Sequence, residues 1–139
     1  MTFSGSCGNG GVREMPFLIS RVNVPLSRKQ EMELKVLLGR AIELVPGKSE
    51  AYLLLCFEDN CRLWLRGDDS APIAYIEANI FANERHAGYD AFTHEVTRIF
   101  HQVLGIGPDH IYLHYTDIPD WGVGGLHFDR RTFDEVRNE

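Results

Sequence analysis

Met15-Pro16-Phe17-Leu18-Ile19-Ser20-Arg21-Val22-Asn23-Val24-Pro25 is the stretch on which the fold turns. Residues 17–24 read as a buried strand, rich in aromatic and β-branched side chains, with a proline directly behind an internal methionine. If the chain starts at Met15 and that methionine is trimmed, Pro16 becomes a terminus carrying a secondary amine, which no interior residue can supply.

Ahead of this stretch, residues 1–14 are rich in Gly and Ser and lack periodicity. They cannot bury enough surface to offset their ordering entropy, so residues 1–15 are expected to be a flexible extension, native or misassigned, and residues 16–139 a single domain. Behind it, Ser27 and Gln30 have the spacing of a capping box and open a helix, with Met32, Val36, Leu37, Ala41, Ile42 and Leu44 as the expected apolar stripe. Pro46-Gly47 stops it. Residues 51–57 are a continuous apolar run, expected as a strand covered on both faces, and 61–65 could add a short one. Residues 72–81 read as the next strand, 89–104 as a second helix with its stripe at Phe92, Val96, Ile99, Phe100 and Val103, and 111–115 as the last long strand.

The plan repeats. Setting Gly47 over Gly105 lays Val45-Pro46-Gly47 on Val103-Leu104-Gly105, Leu55-Cys56-Phe57 on Leu113-His114-Tyr115, and Pro16 on Ala74. Both halves read strand, helix, glycine exit, strand. Each helical crossover makes its strands parallel, so the expected fold is α/β (α+β in some schemes): a tandem β-α-β repeat, a four-stranded mixed sheet and two helices on one face. The other face would be bare, with Val22, Leu54 and Ile76 on it, and a symmetric oligomer is expected to cover it.

Fourteen Lys and Arg against 20 Asp and Glu give a net charge of −6, without charge blocks. Nucleic acid and anionic membrane are therefore poor partners, and a small molecule or another protein is expected. No apolar run approaches the ~20 residues of a membrane helix. Cys7, Cys56 and Cys61 are odd in number, form no CxxC and follow no secretory leader, which places the chain in the reducing cytoplasm, with leaderless export left open. There is no phosphate loop, GxGxxG, GxSxG or paired-Cys metal spacing, and His94 and His101 lie two helical turns apart. No metal and no cofactor are expected.

Several short motifs carry a resemblance when taken in order: Pro16-Phe17-Leu18-Ile19 to Pro25, Gly47-Lys48 before a strand, residues 108–115 with Tyr112 and His114, and Trp121-Gly122-Val123-Gly124-Gly125. Together they resemble macrophage migration inhibitory factor and D-dopachrome tautomerase over residues 16–133. The resemblance implies a homotrimer in which an amino-terminal proline is the general base of keto-enol tautomerisation of phenylpyruvate-like α-keto acids. It implies Pro16 as that base, Lys48 at the substrate carboxylate, the backbone at Ile80 or Phe81 beside the ligand, and Tyr112 and His114 entering from an adjacent subunit. Trp121, Val123 and Phe133 would form an apolar rim. It also implies that cytokine-like members use a protein receptor.

The chemistry is sound locally. An α-amino group titrates near 7.7 to 8.0 in model peptides, and an apolar pocket with a neighbouring lysine disfavours its charged form, leaving a base near neutral pH. Each assignment has a structural rival. Pro16 suits a strand start, Lys48 a helix C-terminus, Ile80 and Phe81 a strand-end core, Tyr112 a core-filling strand position with its hydroxyl satisfied, and the segment 121–125 a packed tail at a subunit boundary. His114 stands where close relatives usually carry Asn, and Ile73 and Ile76 stand where the family's redox cysteine pair would fall, so no oxidoreductase activity is expected. A peptide-bonded Pro16 has no usable basicity, so residues 1–15 left in place should abolish proline-dependent catalysis. The alternative is a catalytically silent binding or cytokine-type protein on the same scaffold.

Overall fold

The computed structural model describes residues 15–131. The extension ahead of Met15, Phe133 and the charged tail 134–139 lie outside the described residues. The chain forms β1 (Pro16–Val22), α1 (Arg28–Ala41), β2 (Leu54–Glu58), β3 (Ala74–Phe81), α2 (Tyr89–Leu104), β4 (Ile111–Ile118), β5 (Asp120–Val123) and β6 (Leu126–Asp129). Single 3-10 turns occupy Ile42–Leu44, Glu50–Tyr52 and Pro108–His110.

The main sheet runs β2-β1-β3-β4. The pairs β1–β2 and β3–β4 are parallel, and β1 and β3 meet antiparallel at the centre. The repeat is real at this level: the shift that carries Gly47 to Gly105 also carries β1 onto β3 and β2 into β4, and both glycines take positive φ, 79° and 70°. Ser27 caps α1 through the expected capping box with Gln30. One contiguous core lies between the helices and the sheet, built on Leu18, Val22, Leu34, Leu38, Ile76, Ile80, Phe92 and Phe100.

Five expectations need correction, four of them in the main sheet and its helices and one in the segment 121–125. The sheet-facing stripe of α1 is Leu34, Leu38, Ala41 and Ile42, whereas Met32, Val36 and Leu44 are exposed. The helix carries apolar residues on two sides, and only the side continuing to Val45 meets the sheet. The run 51–57 is not a doubly covered strand: its start lies in the 3-10 turn Glu50–Tyr52, and β2 is an edge strand with Leu54 57% exposed. Residues 61–65 form no strand, only an isolated bridge from Leu65 to Asp68. Finally, Val22 and Ile76 lie under the helices at 1% and 0% exposure, because residues paired across the sheet share a face and theirs is the covered one.

The open face carries Phe17, Ile19 and Arg21 of β1, with Leu54, Cys56 and Glu58 beside them on β2. On the other side it carries Tyr75, Glu77 and Asn79 of β3, then Tyr112, His114 and Thr116 of β4. It is mixed in character rather than apolar. Arg21 bonds Glu77 and lies 3.4 Å from Glu58, and its guanidinium sits 5.7 Å above the Tyr75 ring.

The segment 121–125, expected as a packed tail, is instead a hairpin. Gly124 and Gly125 both take positive φ, as the two-residue turns that match strand twist require, and Trp121 pairs with Phe128 across it.

Candidate active site at the Pro16 end of the sheet

Gly47 turns the chain back toward the sheet after α1, and Lys48 N–H bonds the Val45 carbonyl at 3.0 Å. This aims the Lys48 side chain at the end of β3. Its ammonium donates to the Phe81 carbonyl at 2.9 Å, and the residue is only 6% exposed. Pro16 pairs with Ile80, one residue before Phe81. The lysine, the proline and the Ile80-Phe81 backbone therefore converge on one strand end.

That end is closed by chain and ring. Phe81 N–H donates to the Met15 carbonyl at 3.3 Å, so β1 and β3 stay joined one residue beyond Pro16. The Pro16 nitrogen in this chain is the amide of the Met15–Pro16 bond. The Phe81 ring meets Trp121 at 6.4 Å between centroids and an interplanar angle of 70°. Val123 stands two residues along β5, on the same side as Trp121. Arg130 holds the hairpin down through Asp117 and through its own N–H to the Pro119 carbonyl at 2.9 Å.

Tyr112 and His114 are elsewhere. They pair with Tyr75 and Glu77, five and three residues along β3 from Ile80, which puts them ~17 and ~10 Å up the strand and two strands across from Pro16. Tyr112 is 54% exposed on the open face, so it is not core filling, and the His114 side chain is 51% exposed. His114 Nε2 lies 3.3 Å from Glu77 Oε1 and 3.4 Å from the Tyr75 hydroxyl, with the two rings edge to face. The Arg21 hydrogen bond, then the contact with His114, holds the Glu77 carboxyl below its ordinary range against its desolvation. Of the expected site residues, Pro16, Lys48, Ile80, Phe81 and Trp121 meet at one strand end, with Val123 beside Trp121. Tyr112 and His114 do not join them within one chain, and Phe133 lies outside the described residues.

No family model matches this sequence, and no curated protein matches it. Solved structures do. Leishmania major MIF2 is 24% identical, with 83% of this chain and 98% of that one aligned and a TM-score of 0.76. The chain has the macrophage migration inhibitory factor fold. Pt0534, a protein inactivated by 2-oxo-3-pentynoate, shares this fold at 12% identity, 84% and 98% coverage and a TM-score of 0.72. A fused 4-OT described as an asymmetric trimer shares it at 19% identity, 85% and 98% coverage and 0.70.

Two residues that the sequence reading did not single out belong to this description. Arg21 and Glu77 form a cross-strand pair visible only once the β1–β3 register is known. Among the described residues no group of three His, Cys, Asp or Glu is placed to hold a metal. No helix among them is long and apolar enough to cross a membrane.

Proposed function

We propose that this chain is a tautomerase-superfamily enzyme that interconverts keto and enol forms of phenylpyruvate-like α-keto acids when Pro16 is its first residue. The single observation carrying this reading is the buried Lys48 ammonium at the strand end that Pro16 begins. A cation there can pair with a substrate carboxylate, and its field disfavours protonation of a nearby amine. The inactivation of Pt0534 by an α-keto acid supports the substrate class.

In the forward direction the Pro16 nitrogen takes a proton from the carbon beside the keto group. That C–H electron pair becomes the C=C bond, and the carbonyl oxygen becomes an enolate that picks up a proton. The prolinium then releases its own proton and the amine is restored. Lys48 holds the carboxylate, the Phe81 backbone lies beside the ligand, and Trp121, Val123 and Phe133 form an apolar rim that lowers the local dielectric.

The domain runs over residues 16–139 and assembles as a homotrimer, in which Tyr112 and His114 enter the site of a neighbouring copy. The trimeric 4-OT supports this, as does an open sheet face bearing Phe17, Ile19 and Leu54. Turnover of phenylpyruvate by two chains, one starting at Met1 and one at Pro16, is the test. Activity of the second alone is expected, and an inactive Pro16 chain that still sediments as a trimer overturns the reading.

One observation favours a second reading. With Met15 peptide-bonded and buried, Pro16 has no basic nitrogen, which suits a catalytically silent binding protein with a protein receptor. That reading predicts normal assembly and no turnover from either chain.

A further inference from the structure

Among the described residues the hairpin β5–β6 forms a two-stranded sheet of its own, separate from the main one. Strands of four residues each do not hold such a ribbon in place unaided, so what ties it down decides where Trp121 stands. A tie lies at its closing end. Arg130, directly after β6, donates from its backbone N–H to the Pro119 carbonyl at 2.9 Å and from its guanidinium to Asp117 Oδ2, with Glu84 Oε2 3.7 Å away. The Asp117 side chain is 18% exposed and that of Arg130 26%, and a pair this sheltered is screened less than one at the surface.

Asp117 has a second task. It belongs to the cross-strand row that runs Pro16, Ile80, Asp117, which sets it about 10 Å from Pro16 across β3. Its other oxygen, Oδ1, accepts the Asn83 N–H at 2.8 Å, just past the end of β3. The residue between, Ala82, has a φ of 56°, a left-handed conformation unfavourable for a residue with a Cβ. Two bonds hold it there: its own N–H donates to the Ile118 carbonyl at 3.2 Å, and the next N–H to Asp117. The peptide joining Phe81 to Ala82 is the one whose carbonyl accepts from the Lys48 ammonium. One carboxylate therefore fixes, through Asn83, the backbone to which the lysine is bonded and, through Arg130, the hairpin whose Trp121 ring meets Phe81.

We propose that the ion pair of Asp117 and Arg130 is a latch that sets the shape of the strand-end pocket, with Arg130 as a positioning residue that keeps the Trp121 wall against Phe81. This rests on the preceding reading for the identity of the ligand, and adds what determines selectivity: the latched wall favours α-keto acids with an aromatic group over short aliphatic ones. Releasing the hairpin removes an apolar contact made equally in the ground and transition states, so the loss falls on KM and not on kcat.

The test uses the chain starting at Pro16 with Trp64→Phe, which changes an exposed residue and leaves Trp121 as its one tryptophan. In it Arg130→Gln, Arg130→Lys and Asp117→Asn are compared by tryptophan emission and by turnover of phenylpyruvate and of 2-oxobutanoate, with circular dichroism verifying the fold. Arg130→Gln is expected to shift the emission to the red and to raise KM for phenylpyruvate about ten-fold, as loss of an aromatic contact and its buried area implies. Its kcat stays within about two-fold, and KM for 2-oxobutanoate hardly moves. Arg130→Lys keeps the charge and restores part of both effects. Asp117→Asn keeps an acceptor for Asn83 and carries the same two readouts should Arg130→Gln fail to fold. The double variant is expected to do no more than the worse single one, because both act through one pair. An unmoved emission maximum, additive effects, or equal changes for the two acids overturn the latch, and a merely structural role would instead lower the apparent kcat for both acids with KM unchanged. If the Pro16 chain turns over neither acid, the tautomerase reading fails, and the emission series with its double variant still decides the latch.

Discussion

Replacing Lys48 by methionine in the chain starting at Pro16 separates a binding lysine from a structural one. The substitution keeps length and apolar volume and removes the ammonium that donates to the Phe81 carbonyl at 2.9 Å. A hydrogen bond to a charged group contributes about 1.5–3 kcal/mol, and losing it leaves a carbonyl short of a donor. Against this, the charge of a lysine that is only 6% exposed carries a desolvation penalty of several kcal/mol that methionine does not. The two effects nearly cancel, so stability is expected to change by no more than about 1 kcal/mol, or roughly 4 °C in melting temperature. Activity has no such offset. Losing a charged contact to the substrate carboxylate lowers kcat/KM by roughly 10- to 150-fold, read from the enol absorbance of phenylpyruvate alongside thermal melts. A kcat/KM within about two-fold of the parent, with the melt unchanged, refutes the assignment of Lys48 to the carboxylate.

Leu38→Ala is expected to cost about 2–5 kcal/mol in urea unfolding and Val36→Ala under about 1, since Leu38 is fully buried and Val36 exposed; equal losses would restore the stripe expected from the sequence. At Gly88 (φ 80°) an added Cβ meets the Leu44 carbonyl oxygen at 2.2 Å, whereas at Gly47 (φ 79°) it meets nothing within 4 Å. Gly47→Ala should therefore lose only the left-handed backbone term, about 1–2 kcal/mol, and Gly88→Ala distinctly more, by comparison of denaturant midpoints. Glu77 has its carboxyl lowered from 4.5 chiefly by Arg21, so its contribution to stability is complete above pH 4.5 and is lost as pH falls from there through the folded value. Arg21→Met should flatten the dependence of the urea midpoint on pH in that window; an unchanged slope would mean the pair contributes nothing.

The sequence made the architecture legible because its signals repeat. The Gly105 exit, the capping box at Ser27 and Gln30 and the stripe of α2 all appear, and Gly47 shares the positive φ of Gly105 although α1 has already ended at Ala41, with Ile42 as its C-cap. The misreadings fall where a local pattern had two solutions. α1 is apolar on two sides, and only packing chooses between Met32-Val36 and Leu34-Leu38. The run 51–57 is apolar enough for a central strand, but the crossover through α1 puts β2 at the edge. The hairpin was missed although Gly124-Gly125 is a strong turn signal, because the flanking strands are only four residues each and do not alternate clearly.

For the site, what was legible and what was not divides by distance along the sheet. Lys48 and Pro16 are brought together by the first β-α-β unit and its pairing with β3, and a single chain suffices. Tyr112 and His114 sit on the open face of the far edge strand, ~14–20 Å from Pro16 by strand rise and spacing, with β3 between them. Side-chain motion cannot span that gap. A ligand at Lys48 would therefore be within reach of these two residues only from a second copy whose β4 lies against this strand end, and on the proposed function a subunit held monomeric by mutation should keep the lysine contact while losing theirs. Substitution of Tyr112 by Phe or His114 by Asn is thus expected to alter kcat/KM in the trimer and to leave ligand affinity of such a monomer unchanged. An effect in the monomer as large as in the trimer would mean that the two act through the fold of their own chain.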